Sequence, residues 1–285
     1  MEALKIGIVV SDAMGCLVSP GLSKAPARYK ELEKAFNLCA KSGYDGVELF
    51  VDKPENLDAT KILALAQSHH LEITALGTGP MYARRGLSLS AEDSSTRSKT
   101  LSALRHCISL AESFGSLLTI GSIRGKSRGG DSRLKALKRV GEGLGILDEW
   151  ASHQGVKILL EPINRYETDL INTADHALSM IKNLSLTSTG LLLDTFHMNI
   201  EERSISDSIR KCKRSLLHLH VADSNRWPPG YGHLDFQQII QTLRAVNYEG
   251  YLSSESLAKP DRVTAVKMTA TYLRGLIKKS LVQTE

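Results

Sequence analysis

Four residues capable of holding a metal ion end short apolar runs in the second half of the chain. Glu161 follows Lys157-Ile158-Leu159-Leu160, Asp194 follows Leu191-Leu192-Leu193, and Glu255 follows Tyr251-Leu252-Ser253-Ser254. The run Leu216-Leu217-His218-Leu219-His220-Val221 carries two histidines two positions apart, so in a strand both share one face while Leu217 and Leu219 share the other. Three carboxylates brought to one place repel one another, and their burial without a positive partner is costly. A divalent cation would neutralise most of that charge. Three carboxylate ligands and one imidazole, from Glu161, Asp194, His220 and Glu255, suit Mn²⁺ first, with Co²⁺ or Mg²⁺ as alternatives, and do not suit a thiolate zinc site. His218, one layer deeper, reads as a packed or supporting residue rather than a ligand. A single acid at a strand end serves equally well as a solvated residue or a helix cap. Four suitable residues ending four successive strands argue for the metal.

The segments beyond these runs are polar and stiffened by proline. Pro162-Ile163-Asn164-Arg165-Tyr166-Glu167 follows the first acid, Thr195-Phe196-His197-Met198-Asn199 the second, and residues 222–230, including Arg226, Trp227, Pro228 and Pro229, follow the histidines. Read as loops, they are long enough to wall a pocket, with fixed proline φ angles placing His197 and Arg226 reproducibly. A solvated arginine is the plainer alternative for Arg226, and a simple loop anchor for Trp227.

Positioning such residues requires a particular scaffold. Eight short β-branched or Leu-rich runs, at 5–10, 46–50, 72–77, 117–121, 156–161, 190–194, 216–221 and 250–255, alternate with amphipathic stretches such as 27–41, 94–114, 134–153, 173–182 and 236–246. Eight alternations of strand and helix demand parallel strands with right-handed crossovers. The expected fold is therefore α/β, a (β/α)8 TIM barrel occupying residues 1–285 as one domain, with catalytic groups at the C-terminal ends of the strands. No linker interrupts it, and no glycine-rich dinucleotide fingerprint follows the first strand to favour an open doubly wound sheet. Ser42-Gly43-Tyr44-Asp45-Gly46, Gln154-Gly155-Val156 and Val246-Asn247-Tyr248-Glu249-Gly250 each read as a helix end turning into a strand.

Composition agrees. Among 285 residues, 42% are hydrophobic but only 5% aromatic, which calls for an aliphatic core. The 36 basic against 31 acidic residues give a net charge of +5, too diffuse for a nucleic-acid or membrane footprint. No apolar run reaches membrane-span length and the first ten residues are too short for a signal-peptide core, so a cytoplasmic protein is expected. The scattered cysteines Cys16, Cys39, Cys107 and Cys212 then read as reduced thiols.

The motifs from Glu161 to Glu167, Leu193-Asp194-Thr195-Phe196-His197-Met198-Asn199, and His220-Val221-Ala222-Asp223-Ser224-Asn225-Arg226 resemble the signatures of the D-tagatose 3-epimerase-like ketose epimerases, within the xylose-isomerase-like barrels. The resemblance runs through the whole chain and is closest from Glu161 to Glu255. It implies a metal-dependent sugar epimerase that inverts a carbon beside a ketose carbonyl through an enediolate. It further implies that Glu161, Asp194, His220 and Glu255 hold Mn²⁺ or Co²⁺, that Glu161 and Glu255 are the paired catalytic acid and base, and that Glu167, His197 and Arg226 bind substrate. A homo-oligomer, dimer or tetramer, is implied as well. Gly77-Thr78-Gly79, Gly86-Leu87-Ser88-Leu89, Phe196 to Glu202 and Ala222 to Trp227 are most similar to the branch acting on 5-keto-L-gluconate. The expected small-molecule substrate is thus a keto sugar acid of that kind or a free ketose such as D-tagatose or D-psicose.

A cluster of basic residues after the third and fourth strands, Arg84, Arg85, Arg124, Lys126 and Arg128, could receive a substrate carboxylate, with Arg124 the leading candidate and a solvated basic loop the alternative. Competing functions are an aldose–ketose or hydroxypyruvate-type isomerase with the same glutamates, an endonuclease IV-like DNA-repair enzyme of the same superfamily, and a catalytically silent binding protein.

Overall fold

The computed structural model describes residues 4–10, 26–127 and 132–282. Eight parallel strands close into a barrel in sequence order: β1 (Lys5–Val10), β2 (Gly46–Phe50), β3 (Glu72–Gly77), β4 (Leu117–Ile120), β5 (Ile158–Leu160), β6 (Thr189–Asp194), β7 (Leu216–Val221) and β8 (Tyr251–Ser254). β1 closes the ring by pairing with both β2 and β8. The expected barrel is present, and the strand runs read from the sequence differ from it by two residues or fewer at any end.

Ten α-helices are described: α1 (Pro26–Ser42), α2 (Ala59–Ser68), α3 (Gly79–Arg85), α4 (Ser94–Phe114), α5 (Arg133–His153), α6 (Ala174–Asn183), α7 (Thr195–Glu201), α8 (Ile205–Cys212), α9 (Phe236–Ala245) and α10 (Arg262–Val282). Their starts follow from short polar residues accepting a hydrogen bond from an otherwise orphaned backbone N–H. Asp93 caps α4, Ser132 caps α5, Thr173 caps α6 and Asp235 caps α9. The three repeated turn phrases behave alike. Gly43 and Gly155 adopt φ of 88° and 66°, and Asn247 takes the same left-handed role at 54°.

The sheet and helices enclose an aliphatic core built from residues such as Leu49, Leu104, Ile108, Leu144 and Leu193. The barrel interior is a separate compartment. Ala75, Leu159 and Leu192 pack there, and the register sets His218 beside Leu192 and Glu48 beside Ala75. One inward-facing layer toward the strand C-termini lie Asp194 and His220, paired across β6 and β7. Cys39, Cys107 and Cys212 are free and buried; Cys16 lies outside the described residues.

One segment departs from expectation. Residues 195–199, read as a loop, form the start of α7. Asp194 sits directly before it and accepts a hydrogen bond from the Phe196 backbone N–H at 2.7 Å, so a strand end turns into a helix without an intervening loop.

Candidate active site at the barrel rim

Glu161, Asp194, His220 and Glu255 converge, each offering a ligand atom within 4.8 Å of the others, and all four are buried. Asp194 divides its two oxygens between two tasks: Oδ1 caps α7, while Oδ2 is buried without a hydrogen-bond partner. The cap reading of this acid therefore holds, and its second oxygen is left facing the cluster. His220 Nδ1 is likewise buried and unpartnered, 3.3 Å from Glu255 Oε2, 3.7 Å from Glu161 Oε1 and 4.0 Å from Asp194 Oδ2. Buried polar atoms seldom lack partners, and these two belong to one oxygen-rich cluster that fits a hard divalent cation. The residues present thus suit a divalent metal ion.

The opposite face of His220 is held from inside the barrel. Glu48 on β2 is fully buried and its Oε2 lies 2.9 Å from His220 Nε2, 3.2 Å from His218 Nε2 and 3.3 Å from the Ser253 hydroxyl that donates to it. Burial alone would raise the Glu48 pKa, but the His220 charge and the two imidazole bonds outweigh it and hold the carboxyl well below its usual range. Glu48 thus engages His220 Nε2 and leaves Nδ1 as the nitrogen that faces the cluster, the arrangement that commonly orients a metal-binding histidine. Sequence reading missed Glu48. Its signal was an acid inside the otherwise apolar run Val47-Glu48-Leu49.

Glu161 and Glu255 differ in their surroundings. Burial, reinforced by the charge of Glu255, raises the pKa of Glu161. Burial acts the same way on Glu255, but the charges of His220 and Arg226 prevail and lower it. Asp194 is raised to about 6 by burial and by Glu255. A pair of carboxyls pushed in opposite directions is the usual mark of one acid and one base.

Further residues close the cavity. It holds about 140 Å³ and is lined by Glu161, His220 and Glu255 of the cluster together with Glu167, His197 and Arg226 on one side. Phe50, Thr78, Pro80, Thr119, Ser122 and Ile163 line the other. Arg226 donates to Glu167 Oε1 at 3.0 Å and to Glu255 Oε2 at 3.4 Å, and its guanidinium stands 5.0 Å from the Phe196 ring centre. Its backbone is left-handed, with φ of 61°, and is fixed by hydrogen bonds to Asp223 and from Leu257. Asp223 gathers that loop by accepting from the backbone N–H groups of Ser224, Gly230 and Leu234.

Arg124 requires a correction. Its side chain is fully buried beneath the rim and does not line the cavity. The guanidinium donates to the backbone carbonyls of Gly121, Glu161, Leu170 and Ile171, clipping the end of β4 to the end of β5 and to the segment before α6. Burial lowers its pKa to about 10, which leaves it charged at neutral pH. It positions the backbone of Glu161 instead of meeting a substrate carboxylate. Next to it, Gly121 leaves room for the Glu161 side chain, since a Cβ there would sit 2.2 Å from Oε2. Arg85 donates to the Asp52 carbonyl and Lys126 is exposed, neither lining the cavity; Arg128 lies outside the described residues.

Comparison with known proteins agrees with this geometry. The sequence profile described as xylose isomerase-like TIM barrel matches residues 36–276. A 3-dehydro-D-guloside 4-epimerase of Escherichia coli strain K12 is 36% identical over 138 residues, 48% of this chain and 53% of that protein, so the match spans about half of that relative. A D-psicose 3-epimerase of Agrobacterium fabrum is 30% identical over 232 residues, 77% of each chain. Among solved structures, an L-ribulose 3-epimerase superposes with a TM-score of 0.83 at 23% identity, covering 99% of this chain and 97% of the other, which bears on the fold. Taken with the closed barrel and the cluster at its C-terminal rim, these matches show that the chain belongs to the xylose isomerase-like TIM barrel family.

Proposed function

We propose that this protein is a divalent-metal-dependent sugar epimerase that inverts a carbon adjacent to a ketose carbonyl. The observation that carries the reading is the cluster itself. Glu161 and Glu255 face one cavity with opposite pKa tendencies, beside a histidine nitrogen and an aspartate oxygen that no protein group satisfies. The named activities of three matched relatives, a 3-dehydro-D-guloside 4-epimerase, a D-psicose 3-epimerase and an L-ribulose 3-epimerase, support the same class.

Inversion beside a carbonyl requires removing a proton from one face of a carbon and returning one to the other. A single carboxylate cannot reach both faces, so one glutamate takes the proton while the other, protonated, donates; the reverse reaction exchanges their roles. Such assistance is typically worth about 10²–10⁴-fold. When bound by Glu161, Asp194, His220 and Glu255, a divalent ion, Mn²⁺ in the first instance, supplies Lewis-acid stabilisation of the negative charge developing on the carbonyl oxygen. Arg226 and His197 orient the substrate oxygens, and Glu167 holds Arg226 toward the cavity.

For the substrate, a neutral ketose or keto-glycoside is the better match. Among the described cavity-lining residues, Arg226 is the single Lys or Arg, and it is engaged by Glu167 and Glu255. The hydroxyls of Thr78, Thr119 and Ser122, set beside Phe50 and Ile163, suit a polyol chain or a sugar ring. With Arg124 buried, a keto sugar acid such as 5-keto-L-gluconate loses its expected anchor. The protein is further read as a cytoplasmic homo-oligomer; no described helix is long and apolar enough to cross a membrane. Incubation with Mn²⁺ and a panel of D-psicose, D-tagatose, L-ribulose, a keto-glycoside and 5-keto-L-gluconate, followed by product identification by NMR, tests the reading. Epimer formation from at least one member is expected, and aldose formation in its place would establish an aldose–ketose isomerase.

A further inference from the structure

We infer that Asn164 is a positioning residue that fixes the tautomer of His197, so that His197 presents an Nε2–H donor, never an acceptor, to the cavity. Asn164 stands three residues after Glu161 in the polar segment that follows β5, and it is 1% exposed. Its amide orientation is set by three independent partners. The Oδ1 atom accepts from the Tyr166 backbone N–H at 3.0 Å, a group that can only donate. Its Nδ2 lies 3.0 Å from Glu167 Oε1 and 2.7 Å from His197 Nδ1. A flipped amide would set an NH₂ group against the Tyr166 N–H and an oxygen against the Glu167 carboxylate, two repulsive contacts in a buried site. The unflipped orientation places an amide hydrogen on His197 Nδ1, which must therefore be the unprotonated nitrogen.

The imidazole is 3% exposed, and burial lowers its pKa, in keeping with a neutral ring. A neutral ring whose Nδ1 accepts carries its single hydrogen on Nε2. Glu167 completes the arrangement, accepting on the same Oε1 from Asn164 and from Arg226 at 3.0 Å each. One buried amide thereby links the two groups that face the substrate. Under the epimerase reading, the oxygen meeting His197 must be one that accepts, such as a carbonyl or the oxyanion into which it develops. That last step rests on the proposed function; the tautomer does not.

The test is long-range ¹H–¹⁵N NMR of the histidine rings in the full-length protein at neutral pH, with Mg²⁺ added as a diamagnetic ion. The His197 signal is assigned by its loss in His197→Gln. The expected pattern is an unprotonated Nδ1 and a protonated Nε2. A protonated Nδ1, alone or in an imidazolium, overturns the inference, and this measurement needs no folded Asn164 variant. In Asn164→Asp the amide donor is lost, so the ring should move its proton to Nδ1 or become doubly protonated, with a fall in kcat/KM of about tenfold or more. An unchanged ring signature in a folded Asn164→Asp protein also overturns it. Because the NMR pattern is read without substrate, failure of the epimerase reading shows separately, as absence of epimer formation by a protein whose His197 tautomer is as expected.

Discussion

The rim on the β5 to β8 side carries charge, whereas the rim on the β2 to β4 side carries hydroxyls, glycine and apolar groups. Glu161, Asp194, His220 and Glu255, with Arg226 and Glu167, all come from the first side. Phe50, Thr78, Pro80, Thr119 and Ser122 come from the second. Under the proposed function, proton transfer and the orientation of the substrate oxygens fall to the side whose charges are interlocked, while the facing wall is left to contribute shape and single hydrogen bonds. Glu48 crosses the divide. It originates on β2 but reaches through the barrel interior to His220, so the charged side is supported from the opposite one.

If the charged side performs the proton transfer, its variants should lose turnover, and variants of the facing wall should not. The largest effect is expected for Glu161→Gln and Glu255→Gln. Each should reduce kcat by at least about 10²–10⁴-fold while thermal unfolding stays cooperative, because removing one of several clustered carboxylate charges relieves repulsion. Chelation should have a comparable effect. Treatment with EDTA should abolish activity, and Mn²⁺ at about 100 times its dissociation constant should restore it and raise stability by about 2.7 kcal/mol, read as an increase in Tm.

Arg124→Met separates the two roles considered for that residue. It leaves buried carbonyls without donors and should destabilise the fold by about 3 kcal/mol or more, measured by denaturant unfolding. A normal stability with a KM raised for anionic substrates alone would return Arg124 to the cavity. A pH dependence is also expected. Asp194 is raised to about 6 in the fold, so between its unfolded value and about 6 the folded state binds more protons than the unfolded state. The Asp194 contribution to metal-free stability should therefore fall as pH rises through that window, a change removed in Asp194→Asn. Divalent ions compete with those protons, so the Tm increment given by Mn²⁺ should grow as pH passes about 6. The smallest effect is expected from Ser122→Ala on the facing wall: a KM raised a few-fold with kcat nearly unchanged, the pattern of a uniform binding contact.

Much of this arrangement can be read from the sequence because it rests on periodicity. The eight apolar runs, and the acids and histidine that end or interrupt the later ones, follow from the alternation of side chains along a strand and from the location of polar groups at strand ends. What could not be read depends on contacts between distant segments. Glu48 precedes its partner His220 by 172 positions, and only barrel closure brings them together. Arg124 looked like a substrate anchor because its type and loop fitted one; that its four acceptors are backbone carbonyls is a property of packing. The start of α7 was hidden for a local reason, since Asp194 serves at once as the last residue of β6 and the cap of the helix.

The central claim, two-glutamate proton transfer at a carbon beside a carbonyl, is tested most directly by running the reaction in D₂O with Mn²⁺ and a substrate from the active part of the panel. NMR at early turnover should find one deuterium at the inverted carbon of the epimer and none in the remaining substrate, with the incorporation lost in Glu161→Gln and Glu255→Gln. Inversion without solvent deuterium, or undiminished incorporation in either variant, would contradict the account.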